Sequence, residues 1–342
     1  MKIGSITFHW ANNYGAVLQA YALQQFLKNN GYDTEIIDYK PARLYFRELI
    51  RDAIYNRSNL SKRRKIRKFI KKHMRLSDKV AYQSNKVSKI NDYEAVICGS
   101  DQIWNEWLLF HAEKNPCPVY YLGTVGKEVK KISYAASFGT NVLKEQTKTL
   151  VKPILEDFSG ISVRENTAVE MLKDINISAI RVCDPTLLLC GEEYRALYAD
   201  LVVPKMSVFP FILHKNQHVA NEIVQYVKQH FNDDTDTEQS LSVSEWLSSI
   251  DNCDIVVTNS FHATVFSILF HKNFIVLPVD GKDMNDRIMT LLDCVGLSSH
   301  FCINKEAVEV CINDKIDWKS VDKYIEEIKD MSSQWLIKCI DS

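Results

Sequence analysis

His9, Trp10, Asn12, Asn13, Tyr14 and Gly15 come directly after a short apolar run at 3–8, and Gly99, Ser100, Asp101, Gln102, Trp104 and Asn105 directly after EAVIC at 94–98. Amides and carboxylates grouped this way bond hydroxyls, and an indole offers a flat apolar face to a pyranose ring, so both clusters suit a sugar. The other reading of GSDQIWN is turn chemistry with a helix cap and a packed Trp, and that of His9 is a structural histidine. Ser137 follows a third run, KISYAA at 131–136, and Arg164 closes a fourth, GISV at 160–163. An arginine at a strand end before a helix is a fixed cation for phosphate or carboxylate, and equally a partner for a structural salt bridge. The last cluster, Thr258-Asn259-Ser260-Phe261-His262, lies between the run DIVVT and the helical pattern ATVFSILF. That helix is apolar almost all round, so its N terminus is held on a buried element where backbone N–H groups form an anion site. His262 is placed there to bond the anion or to deliver a proton.

The elements that must hold these residues alternate along the chain. A strand at 3–8, the turn NNYG, a helix over 16–27 and a strand over 34–38 make a βαβ unit, and 94–98, 131–136, 160–163 and 180–183 continue the series. Asp184-Pro185-Thr186 interrupts it, and a helical pattern EEYRALYADL follows. A second series has strands at 206–213, 254–258 and 274–279, helices at 217–231, 243–250, from 262 and at 285–295, and a last helix at 318–338. The expected fold class is α/β, with two Rossmann-like domains facing a cleft: residues 1–185, residues 186–317, and a final helix in 318–342 packing back across both. Ligands of such sheets lie beyond the carboxyl ends of the strands.

Composition agrees with this. The chain has 342 residues, 46% hydrophobic and 25% charged, which suits two globular domains and excludes collagenous, disordered and coiled-coil classes. Nine cysteines, an odd count without zinc-like spacing, read as reduced and mostly buried thiols. No run approaches the roughly 18 apolar residues of a membrane helix, and the opening MKIGSITFHW breaks its apolar stretch too soon for a signal peptide. A cytoplasmic location is expected. No GxGxxG follows the first strand, and Walker A, GxSxG and HExxH motifs are missing. His214 and His218 have HxxxH spacing without a third ligand, so no metal is expected.

The net charge of −1 conceals an uneven distribution. Residues 57–75 hold ten Lys or Arg and no acid, leaving −11 on the remainder. Ile66, Phe69, Ile70, His73 and Met74 recur at helical spacing, so this segment is an amphipathic basic helix inserted in the first domain. It is either a solvated helix packed by its apolar stripe or a surface for an anionic membrane, which would make the protein peripheral on the inner face of the cell membrane. Nucleic acid is not expected, because the rest of the chain is acidic and carries no recognition motif.

The segments ITFHWANNYGAVLQAYALQQFL, VICGSDQIWN, ISYAASFG, SVRE, CDPTLLL and VTNSFHATVFSILF, in this order, resemble the polysaccharide pyruvyl transferase family. The resemblance runs from residue 1 to about 300. It implies a fold like the two-domain GT-B glycosyltransferases and transfer of pyruvate from phosphoenolpyruvate to two sugar hydroxyls as a cyclic ketal. The sugar would belong to a capsule, exopolysaccharide or cell-wall glycan, and an isoprenoid-diphosphate-linked acceptor is the natural form. Phosphoenolpyruvate is a co-substrate, and no cofactor is implied. The acceptor falls to the first domain (His9, Asn12, Asn13, Tyr14, Asp101, Gln102, Trp104, Asn105, Ser137) and the donor to the second, aided by Arg164. His262 is the expected acid or phosphate-activating group and Asp101 the base. The family motif at the second-domain helix is commonly Arg, an apolar residue and His; here it reads Ser260-Phe261-His262. With Ser260 neutral, Arg287 is expected to replace the missing cation, with Lys282 next in line and a structural pairing of Arg287 with Asp283 or Asp286 as the other reading. The rival functions are a sugar-nucleotide glycosyltransferase and a non-catalytic glycan-assembly protein.

Overall fold

Strands that read as unbroken apolar runs rather than alternations are those of a parallel sheet covered on both faces, and the computed structural model has two such sheets. It describes residues 1–87, 92–202, 204–213, 218–236, 240–279 and 282–342, with the side chains of 218 and 282–284 outside the description. His214 and the side chains of His218, Lys282 and Asp283 therefore lie outside the described residues. The chain divides into two units, Met1–Leu188 with Ile328–Ser342, and Leu189–Glu327.

Unit 1 runs β1 (Lys2–Ile6), α1 (Tyr14–Asn29), β2 (Asp33–Ile36), α2 (Ala42–Tyr55), α3 (Arg57–His73), α4 (Ser84–Val87), β3 (Ala95–Cys98), α5 (Glu106–His111), β4 (Lys130–Ala136), α6 (Glu145–Leu155), β5 (Gly160–Val163), α7 (Asn166–Lys173) and β6 (Ile180–Arg181). Its six strands are ordered β2-β1-β3-β4-β5-β6, every neighbouring pair parallel. The chain leaves β1 toward β2 on one side and returns to β3 on the other, so the order reverses between β1 and β3, where open sheets bind ligands. The close approach there needs Gly99, since a Cβ on it would meet Thr7 Cβ at 3.1 Å. Pro185–Leu188 packs on α1, so unit 1 extends to Leu188, three residues past the expected end at 185. The expected strand at 180–183 is paired only over Ile180–Arg181.

Unit 2 contains α8 (Gly191–Arg195), β7 (Val208–Phe211), α9 (His218–His230), α10 (Val243–Asn252), β8 (Ile255–Thr258), α11 (Phe261–Leu269), β9 (Asn273–Val276), α12 (Lys282–Cys294), α13 (Lys305–Asn313) and the start of α14 (Trp318–Asp341). The order β7-β8-β9 is parallel throughout. The apolar helix α11 is buried from Phe261 to Ile268 and so fixes its N terminus at the carboxyl end of the central strand. The helix expected over EEYRALYADL is only the short α8, which gives way to i→i−3 bonds from Leu197 and Tyr198. From Ile328 onward α14 belongs to unit 1, where Ser332 Oγ accepts the Cys183 N–H at 3.0 Å and Lys130 Nζ donates to the Ile340 carbonyl at 2.7 Å.

The basic segment forms α3, but its apolar stripe is not available to a membrane. Ile66, Phe69 and Ile70 are buried, and Phe69 meets Tyr21 edge-on at 5.8 Å between ring centroids. Arg63 is buried as well, donating to Asp52 at 2.8 Å and Glu48 at 3.2 Å.

Candidate active site

In unit 1 the polar residues after β3, β4, β5 and β6 converge. Arg164 and Asp184 are both buried and pair at 2.7 Å; Ser100 Oγ donates to the same Asp184 oxygen at 2.9 Å. Thr186 donates its N–H and hydroxyl to the other oxygen at 3.0 and 2.7 Å. Burial works against the Arg164 charge, but Asp184, Asp101 and Glu165 outweigh it and hold the guanidinium protonated. Its far nitrogen stands 3.7 Å from Asp101 Oδ1. Asp101 has φ 79°, a conformation costly for a residue with a side chain and typical of functional positions. Its carbonyl accepts the Ser137 N–H at 3.1 Å and its side chain accepts the Gln102 N–H at 2.9 Å. At 18% exposure, the Asp101 carboxylate is the member of this network that reaches the surface.

The other expected acceptor residues separate into two sets. Gln102 lies against Gly139, where a Cβ would come within 2.6 Å of its Cδ, and Ser137 Oγ is buried with no partner among the described residues. Both stay next to Asp101. Asn12 donates to the Asn59 carbonyl of α3 at 3.2 Å. By contrast, Trp104 is wholly buried and stacked on Tyr121 at 5.3 Å, so it offers no face to a sugar. Its indole N–H donates to the Tyr120 carbonyl at 3.0 Å. His9 is equally buried, paired with Asp38 at 2.7 Å; burial opposes the Asp38 charge, yet His9 and Lys40 pull its pKa below the ordinary value. Asn13 and Asn105 cap α1 and α5. The expectation that His9 and Trp104 face an acceptor is corrected in favour of core roles.

The sequence reads Lys62 only as one cation of the basic helix, not as a site residue. On α3 its position reads as solvated, but the structure turns it inward, with Nζ 3.9 Å from the centroid of the buried Tyr14 ring at the start of α1. Burial pushes its pKa down to about 8. The unfolded chain keeps the ordinary 10.5 and binds more protons between these values, so this contribution to stability rises as pH climbs from about 8 to 10.5. Lys62→Met is therefore expected to stabilise the protein at pH 7 by roughly 2 kcal/mol. The gain should fade above about pH 10, as denaturant melts at the two pH values would show; an equal difference at both would contradict the buried charge.

In unit 2, Ser260 caps α11, its Oγ accepting the Ala263 N–H at 3.4 Å. Ser260, expected at the donor, is thus the N-cap of α11. Asn259 is buried; its Oδ1 accepts the Leu213 N–H at 2.8 Å, while Nδ2 has no partner among the described residues. A buried amide donor is left beside the helix start. His262 sits in the first turn, its ring edge-on to Phe261 at 5.2 Å, and the Arg287 guanidinium lies 6.0 Å from the centroid of the same Phe261 ring. α12 emerges beside α11 because Asn285 exchanges both amide bonds with Val279, each at 2.9 Å. Asn259, His262 and Arg287 thus gather at one helix N terminus, an arrangement suited to an anion and a proton transfer. Among the described residues no group of three His, Cys, Asp or Glu could hold a metal.

The family model described as polysaccharide pyruvyl transferase matches residues 13–281. Nothing matches among the curated proteins. Among solved structures, UDP-N-acetylglucosamine 2-epimerase from Rickettsia bellii is similar with a TM-score of 0.54 at 10% identity, over 99% of this chain and 96% of that one. The Neisseria meningitidis UDP-GlcNAc 2-epimerase bound to UDP-GlcNAc gives 0.51 at 8%, over 99% of both chains. Arabidopsis thaliana UGT89C1 complexed with UDP-L-rhamnose gives 0.51 at 7%, over 98% of both. At such identities the likeness is one of fold, and the α/β fold with parallel sheets is GT-B-like.

Proposed function

The chain belongs to the polysaccharide pyruvyl transferase family, and on that premise we propose that it moves pyruvate from phosphoenolpyruvate onto two hydroxyls of a sugar, as a cyclic ketal, in a capsular, exopolysaccharide or cell-wall glycan precursor. The observation that carries the reading beyond the family is the group at the start of α11, where a buried amide donor, an imidazole and a guanidinium attend one helix N terminus. Phosphoenolpyruvate brings about −1.5 to −2 on its phosphate and one carboxylate charge more, so its site needs fixed donors and cations.

In this reading His262, as imidazolium, protonates the methylene carbon. The adjacent carbon becomes oxocarbenium-like, one sugar oxygen bonds to it, the bond to the phosphate oxygen breaks, and the second sugar oxygen closes the ketal. The two hydroxyl protons balance the step, one restoring the acid and one leaving with phosphate. Asp101 takes the second of these protons and passes it to the departing phosphate. Arg164 holds Asp101 in place rather than touching the donor, and Lys62, over Tyr14, answers an anionic group of the acceptor such as a diphosphate.

Arg287→Ala is expected to raise KM for phosphoenolpyruvate at least about tenfold and to leave KM for the sugar nearly unchanged, with Arg287→Lys rescuing part because the bidentate fork is lost. Unchanged donor kinetics would remove Arg287 from the donor site. The function itself is tested by incubating the protein with phosphoenolpyruvate and candidate acceptors, and separately with sugar nucleotides. Phosphate release that requires both phosphoenolpyruvate and acceptor supports pyruvyl transfer. Nucleotide release with phosphoenolpyruvate inert would assign a glycosyltransferase instead, and glycan binding without any turnover an assembly protein.

A further inference from the structure

α2 exposes apolar side chains that its own unit does not cover. Phe46, Ile50 and Ile54 are 48, 58 and 64% exposed, and Tyr55 at the helix end is 81% exposed. The first three recur every four residues and so form one stripe. Arg43, Arg47 and Arg51, all exposed, run alongside it at the same spacing. Tyr82 stacks on Phe46 at 5.6 Å, and Arg47 lies 5.4 Å from the ring of the exposed Trp107. Next to this stripe α3 exposes Arg64, Lys68, Lys71 and Lys72. The hairpin has just two acids, Glu48 and Asp52, and both turn to Arg63. Its outer face is thus apolar and cationic with no opposing charge.

We propose that the α2–α3 hairpin is a membrane-docking surface, which inserts Phe46, Ile50 and Ile54 into the interface of an anionic bilayer while the exposed cations of both helices bind its headgroups. A helix lying in the interface needs an apolar stripe flanked by Lys and Arg with aromatic residues at its edge. The sequence points to α3 for both parts, but α3 spends its apolar stripe on unit 1, and α2 supplies the exposed one. Complementarity favours lipid over a second copy of this chain, because two such faces would bring like charges together. A nucleic acid would meet the cations and leave the stripe uncovered. On its inner side α3 presents Asn59 and Lys62 to the turn before α1, so docking would bring that turn near a lipid-borne acceptor. Docking itself does not depend on the proposed reaction.

The test is sedimentation of the full chain with phosphatidylcholine vesicles, with and without phosphatidylglycerol, at low and high salt. Binding is expected only with phosphatidylglycerol, and it should weaken as salt is raised. The partition coefficient should fall at least about tenfold in Ile50→Ser/Ile54→Ser, and likewise in Arg64→Gln/Lys68→Gln/Lys71→Gln/Lys72→Gln. An environment-sensitive fluorophore on Ile54→Cys, in a Cys190→Ser background because Cys190 is an exposed thiol, should shift to the blue on those vesicles, a readout that survives if the double variant folds poorly. No binding at low salt, or binding unchanged in both variants, would overturn the proposal. So would a dimer in sedimentation equilibrium that Ile50→Ser/Ile54→Ser disperses, which would assign the stripe to a second copy.

Discussion

His262→Ala is expected to lose at least about 100-fold in turnover, the low end of what a general acid contributes, while unfolding within about 2 kcal/mol of the parent. The imidazole sits in the first turn of α11, where the chain is already fixed by the Ser260 cap and by the burial of every residue from Phe261 to Ile268. Its edge contact with Phe261 is the packing that would be lost. An Arg cannot substitute as the proton donor at neutral pH, because its guanidinium keeps its proton. His262→Asn, which keeps a hydrogen-bond donor without the titrating proton, should remain slow if His262 is an acid. It should recover most of the rate if the imidazole only orients phosphate. Near-normal turnover of the Ala variant would remove the role, and a collapse in stability would make His262 a packing residue.

Arg164→Met should be the most damaging single change to the fold of unit 1. It would leave Asp184, whose side chain is fully buried, as a charge without its counter-ion. Breaking a buried pair from one side costs about 3–5 kcal/mol, which for a unit of this size is a fall on the order of 10 °C in Tm. Arg164→Met/Asp184→Leu should recover a substantial part of that loss, since it removes both charges, although Ser100 and Thr186 lose their acceptor. The recovered fold should still turn over slowly, because Asp101 has lost the guanidinium 3.7 Å away. If Arg164→Met melts like the parent and its main defect is in KM for phosphoenolpyruvate, Arg164 is a donor cation and the Asp184 pair is incidental.

Buried parallel strands are continuous apolar runs closed by polar turns, a local signal, so the two sheets were legible within a few residues at each end. Where the signal was not local the reading failed. Leu187 and Leu188 belong to unit 1 because they pack on α1, far away in sequence. Trp104 and His9 carry the right chemistry for a sugar, yet Tyr121 and Asp38 take them into the core, and no spacing along the chain reveals those partners. Lys62 and Arg63 lie in an evenly basic run whose composition cannot say which cations turn inward. That is decided by Tyr14 and by Asp52. The Asn259 amide was visible in the cluster, but its buried Nδ2 appears only once the Leu213 N–H occupies the other end. An extra clue for α2 was in the sequence: Phe46, Ile50 and Ile54 share one helical face while Leu44, Tyr45 and Asp52 share the opposite, buried one.

The most direct test of the central claim follows the pyruvyl carbon itself. With phosphoenolpyruvate labelled with carbon-13 at C2 and a glycan acceptor, nuclear magnetic resonance of the product should find the label in a quaternary carbon bonded to two sugar oxygens, a methyl group and a carboxylate. Inorganic phosphate should appear in equal amount, and both signals should vanish in His262→Ala. Label recovered as free pyruvate, as a singly linked enolpyruvyl ether, or as untouched phosphoenolpyruvate while a sugar nucleotide is consumed would contradict ketal transfer.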